Sequence, residues 1–199
     1  MPYRGRDETA YAAERKQCTG IAFLYSRAER IGNMIILGID PGLAIVGYGV
    51  LEYNNNRFRT LAYGAITTPA HTPTEDRLVM IHKELGELIE IYHPDDVAVE
   101  ELFFNTNTTT GIAVAEARGV IMLCARQHHL NFYEYTPLQV KQSVVGYGRA
   151  EKKQIIMMVQ TILKLTKAPK LDDTADALAI AICHAHTGAS RIRDFYNRV

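Results

Sequence analysis

The chain has 199 residues, 47% of them hydrophobic and 22% charged, which suits one folded domain of roughly 150 to 170 residues with an appendage and excludes two catalytic domains or disorder throughout. Its three cysteines, Cys18, Cys124 and Cys183, are far apart with no CxxC, and no apolar run approaches the roughly 18 residues of a membrane helix; a disulfide framework, a zinc knuckle and a membrane span are all disfavoured, and a reducing cytoplasm is expected. The formal net charge of zero conceals a division: Met34 to Glu101 holds 4 Lys/Arg against 11 Asp/Glu, or −7, and Arg118 to Lys170 holds 9 against 2, or +7. Solvated helix faces would account for either half, but a basic stretch also suits a polyanion and a concentration of carboxylates suits divalent cations.

Residues 1–33 mix charges and alanines without a sustained period, and their apolar patch at Ile21–Tyr25 is too short for a signal-peptide core, so they read as an appendage. The domain is expected over 34–188, with a tail at 189–199. It opens on MIILGID (34–40), a β-branched run typical of a buried strand. Residues 44–53 and 58–67 flank the turn signal Asn54-Asn55-Asn56 and extend that strand into a meander. A helix is predicted over 74–92, with Leu78, Ile81, Leu85, Leu88 and Ile89 at helical spacing, Thr74 as N-cap and Pro94 beyond the end. DDVAVE (95–100) is a short buried strand, and the polar loop 102–110 leads into a strongly apolar helix over 112–125. A strand at 131–136, helices at 137–143 and 152–165 around the loop 145–151, and a last helix from Asp173 to about His186 complete the chain. A meander followed by alternating helices and strands describes an α/β domain with a five-stranded mixed sheet flanked by helices.

Four carboxylates occupy informative places. Asp40 ends the first strand before the turn pair Pro41-Gly42, Glu100 ends the fourth, and Asp173 and Asp176 stand three apart on the first turn of the last helix. Each alone could be a turn or capping residue. Together, at the carboxyl ends of strands where open α/β sheets gather ligands, they would repel one another unless cations neutralised them, and oxygen donors without His or Cys favour Mg²⁺ or Mn²⁺ over zinc. The seven histidines form no HExxH, Ser143 and the cysteines have no local base, and no GxxxxGK[ST] loop is present; the histidines are expected to be structural or exposed, and nucleophilic catalysis has little support.

The blocks GIDPGLAIVGYGV, VAVEELFFNTN, AEARGV, QVKQSVVGYGRAEKKQ and LDDTADALAIAICHAH, in this order and spacing, resemble the RuvC Holliday-junction resolvases of bacteria, over about Met34 to His186. The resemblance implies a ribonuclease H-like fold and a homodimeric, Mg²⁺-dependent endonuclease that cuts four-way DNA junctions in recombination and repair. It implies Asp40, Glu100, Asp173 and Asp176 as the catalytic, metal-holding acids, Lys141 and Lys152 as DNA-binding residues, the second beside the scissile phosphate, and Phe103 as an aromatic that meets an unstacked base. Arg149, from its charge and loop position, is a candidate phosphate contact. The implied reaction is two-metal hydrolysis leaving 5′-phosphate and 3′-hydroxyl ends, with Asp40 as bridging ligand and Lys152 offsetting phosphate charge. RuvA and RuvB are the implied partners. The 33 residues before Met34 depart from the family, whose members usually begin at the first strand. Sugar kinases and actin-like ATPases share the opening strand, Asp and glycine turn, but they need a duplicated fold for which this chain has no length. A junction-binding protein without activity would have no use for four acids that repel DNA, and a nuclease of this fold acting on RNA or another branched substrate is the remaining alternative.

Overall fold

The computed structural model describes residues 33–102 and 108–196, with side chains for 33–102 and 111–188. All of its elements lie in the compact unit Met34–Val199. The expected appendage, apart from Asn33, and Phe103 lie outside the described residues. Strands β1 (Met34–Asp40), β2 (Ile45–Asn54), β3 (Arg57–Thr67), β4 (Asp96–Glu100) and β5 (Asn131–Tyr135) form one sheet in the order β3-β2-β1-β4-β5. β1, β2 and β3 run antiparallel, whereas β4 pairs parallel with both β1 and β5. The mixed five-stranded sheet read from the sequence is therefore the one present.

The helices are α1 (Thr74–Tyr92), α2 (Thr108–Gln127), α3 (Pro137–Val145), α4 (Lys152–Leu163) and α5 (Asp172–Tyr196). Side-chain alternation along the strands divides the core into two layers. Ile35, Leu37 and Ile39 of β1 join Val97 and Val99 of β4 under Ile81, Leu85 and Ile89 of α1 and Ala117, Ile121 and Cys124 of α2. Ile36 and Ala98 face the opposite way, onto α5 and the smaller α3 and α4. Because β1 is covered on both faces, it reads as an unbroken apolar run. The same period of two sends Asp40 and Glu100, each an even step from Ile36 and Ala98, to the α5 side.

Several ends differ from the expected ones. Thr74 is the first helical residue of α1 and not its cap, which is Pro73, a residue that supplies φ −51 but no side-chain acceptor. His93 and Lys164 end α1 and α4 in the left-handed region, at φ 46 and 52, a conformation that non-glycine residues signal weakly in a sequence. The last helix continues through Tyr196, into the segment expected to be a tail. α3 begins with a reciprocal cap: Gln139 N–H donates to Thr136 Oγ1 at 3.1 Å, and Thr136 N–H donates to Gln139 Oε1 at 2.8 Å.

Candidate active site

β1 and β4 run parallel with Ile39 opposite Val99, so Asp40 and Glu100 leave the same edge of the sheet on adjacent strands and the same face. The helix above them supplies the other two acids. α5 lies close to the sheet because the strands beneath it carry glycines. A Cβ on Gly38 would collide with the carbonyl of Ala177, and one on Gly47 with the carbonyl of Asp173. Gly47 is the β2 residue directly opposite Asp40. Its missing side chain lets the first turn of α5, with Asp173 and Asp176, settle beside the end of β1. The sequence reading did not use these glycines, although a glycine inside a strand pattern is the standing signal for a close backbone approach.

The electrostatics follow from this convergence. Asp40 is raised from 3.8 to about 8, first by burial and then by the charges of Asp176, Glu100 and Asp173, with Lys152 pulling the other way. Glu100 is also raised, by burial and then by Asp176, while Lys141 and Lys152 oppose the shift. Burial likewise raises Asp176, against its hydrogen bond to Lys152. Lys152, the first residue of α4, places Nζ 3.0 Å from Asp176 Oδ2 and 3.4 Å from Asp172 Oδ2. Burial disfavours its charge, but the bonds to Asp176 and Asp172 outweigh burial and hold the ammonium above its ordinary value.

The structure thus brings six of the candidates together: Asp40, Glu100, Asp173, Asp176, Lys141 and Lys152. Asp172, the residue before Asp173, is an added partner of Lys152. Arg149 is exposed in the loop between α3 and α4. Phe103 belongs to the undescribed segment after β4. Among the described residues, no three His, Cys, Asp or Glu side chains converge closely enough, as placed, to hold an ion. The chemistry of the donors nonetheless suits a hard divalent cation: all four are carboxylates, and three are held at raised pKa by burial and mutual repulsion, which a cation would relieve.

Other chemistry-bearing residues have structural work. Burial pushes the Cys124 thiol up to about 11 and also raises Cys183, leaving neither as a thiolate nucleophile. His184 is buried, with Nε2 3.0 Å from Asp96 Oδ2 and Nδ1 2.8 Å from the Tyr135 hydroxyl. Asn131 Nδ2 donates to the other Asp96 oxygen at 2.8 Å, so this network ties α5 to β4 and β5. The expectation of structural histidines holds for His184.

The family model for the crossover junction endodeoxyribonuclease RuvC matches residues 36–184. A RuvC crossover junction endodeoxyribonuclease from Alkaliphilus oremlandii is 64% identical over 155 residues, 78% of this chain and 94% of that protein. The corresponding protein of Clostridioides difficile is 58% identical over 77% of this chain and 91% of its own length. Among solved structures, Thermus thermophilus RuvC in complex with a Holliday junction substrate superposes with a TM-score of 0.76 at 35% identity, covering 79% of this chain and 96% of that one. The yeast mitochondrial Holliday junction resolvase Ydc2 shares the fold, with a TM-score of 0.59 at 13% identity over 82% of this chain and 83% of that one.

Proposed function

This chain belongs to the RuvC family of crossover junction endodeoxyribonucleases, and on that premise we propose that it resolves Holliday junctions in DNA recombination and repair by paired, symmetric nicks. The observation that carries the reading is the gathering of Asp40, Glu100, Asp173 and Asp176 with Lys152 at the carboxyl ends of β1 and β4. These four acids would hold two Mg²⁺ ions, with Mn²⁺ as a substitute. When bound, such a pair supplies a water of lowered pKa and stabilises the departing 3′ oxygen, leaving 5′-phosphate and 3′-hydroxyl ends.

The residues of the chain do the positioning. Lys152, held by Asp176 and Asp172, keeps a cation at the mouth of the acid cluster, where it offsets the charge of an incoming phosphate. Lys141 sets a second positive charge near Glu100 and contacts the DNA backbone. Arg149 adds a phosphate contact, and Phe103 stacks on an unpaired base at the junction centre. Two active sites come from a two-fold homodimer built on α2. RuvA and RuvB are the proposed partners at the junction, and the cytoplasm is the proposed compartment; among the described residues no helix is long and apolar enough to cross a membrane. Residues 1–33 lie ahead of the family match and are dispensable for cutting.

The test is cleavage of a synthetic four-way junction, a linear duplex and an RNA–DNA hybrid, each with Mg²⁺ and with EDTA. Metal-dependent paired nicks in the junction alone are expected. Asp40→Asn should bind the junction but cut it at least about 10³-fold more slowly, since one member of the two-metal donor set is lost. Preferential cutting of the hybrid would replace this function with that of an RNA-directed nuclease of the same fold.

A further inference from the structure

The loop from Gly146 to Glu151 joins two helices that each carry a cation acting on the acids. On its near side stands Lys141 of α3, whose charge acts on Glu100; on its far side Lys152 opens α4 and bonds to Asp176. Gly146 ends α3 at φ 90, with its N–H donating to the Gln142 carbonyl at 2.9 Å, and this left-handed turn directs the chain away from the helix. Ala150, 4% exposed, returns the chain to the core formed with α5. Between these fixed points the loop presents Tyr147, 46% exposed, next to the exposed Arg149. Gly148 is propped from beneath: a Cβ there would collide with Cδ1 of Leu138, on the first turn of α3.

Tyr147 lies outside the buried core, and its neighbours in the loop define what it suits. Lys141, Arg149 and Lys152 are cations that track phosphates, and an aromatic face set among phosphate-binding cations takes the π-face of a base. A paired and stacked base offers no free face, so the matching ligand is a base released from its stack. We propose that Tyr147 is a second stacking platform, in addition to Phe103, which receives an unstacked nucleobase of the bound DNA at the rim of the acid site. The proposal rests on the reading that this chain binds junction DNA.

The chain contains no tryptophan, so Tyr147→Trp installs a single reporter at this position. In an Asp40→Asn background that binds without cutting, tryptophan emission is followed while a four-way junction or a fully paired duplex of equal length is added, and anisotropy of labelled DNA reports binding separately. The junction should quench the emission by roughly half and the duplex should leave it nearly unchanged, as expected for stacking on an exposed base. In the otherwise unaltered chain, Tyr147→Ala should weaken junction binding roughly tenfold, with Tyr147→Phe within about twofold of the parent. Unchanged emission at saturating junction, or an alanine variant that binds like the parent, overturns the contact. Emission that changes with protein concentration in the absence of DNA places a second copy over Tyr147 and also overturns it. Absence of any junction binding by the parent chain would instead remove the functional reading on which the proposal stands, and the proposal with it.

Discussion

Asp40 concentrates the conflict in this molecule. It is part-buried at the end of a central strand, it must face α5 because of the period of β1, and it must share that face with three other acids. A carboxyl pushed from 3.8 to about 8 keeps its proton in the folded, metal-free protein over a range where the unfolded chain has lost it. The native state then binds more protons, so stability falls as pH rises between about 4 and 8. Glu100 and Asp176, also raised, act with the same sign. Thermal melts in EDTA should show the melting temperature declining from pH 5 to pH 8, and Mg²⁺ should restore most of it at the upper end. Asp40→Asn should flatten much of the decline and raise the melting temperature of the metal-free protein at pH 8. Parallel profiles for the two chains would show that Asp40 is not the group responsible.

At the level of elements, the site exists because one helix can lie close against two strands. Gly47→Ala places a methyl group against the Asp173 carbonyl, which is backbone and cannot rotate aside. The first turn of α5 has to lift, at a cost of about 1–3 kcal/mol of stability for an overpacked contact, and Asp173 and Asp176 move away from Asp40. Cutting should therefore fall by about 10²-fold, as for a displacement of about 1 Å in a positioned site, while urea unfolding remains cooperative. A variant with full activity would mean that the approach of α5 does not set the geometry of the acids. This example also shows what the sequence could and could not disclose. The strands, their order of appearance and the acids at their ends were legible because β-branched runs, turn signals and terminal carboxylates are local patterns. Gly47 opposite Asp40, the Asp172–Lys152 pair and the buried Asp96–His184–Tyr135 network depend on strand register and on which helix covers which face. Those are long-range facts that no window of the sequence contains. The Thr74 cap failed for the opposite reason: a plausible capping residue stood one position inside the helix, after a proline that already fixed the entry.

For the whole molecule, the covering of the sheet leaves one question of symmetry. α2 buries Ala117, Ile121 and Cys124 in the core layer it shares with β1, β4 and α1, but its opposite side exposes Ile112 at 59% and Leu123 at 54%, with open space above Gly119. A helix that covers one sheet face should turn polar residues outward, and this one sets large aliphatic side chains among the exposed Glu116 and Arg126, around a glycine that would permit close approach. A second copy of the same helix, related by a two-fold axis, would cover both exposed faces with one contact. The substrate argues for the same arrangement, because a four-way junction has approximate two-fold symmetry and paired nicks need two active sites. Leu123→Glu would set two carboxylates against each other across such an axis while leaving the buried side of α2 untouched, and Ala115→Glu would do so nearer the start of the helix. Light scattering should report a dimer for the parent chain and a monomer for Leu123→Glu at the same concentration, with circular dichroism unchanged. In cleavage on a cruciform plasmid, which separates one nick from two coordinated ones, the variant should yield mainly singly nicked circles where the parent yields linear product. If Leu123→Glu stays dimeric and still cuts in pairs, the two-fold contact lies elsewhere on the surface, and the exposed side chains of α2 need another explanation.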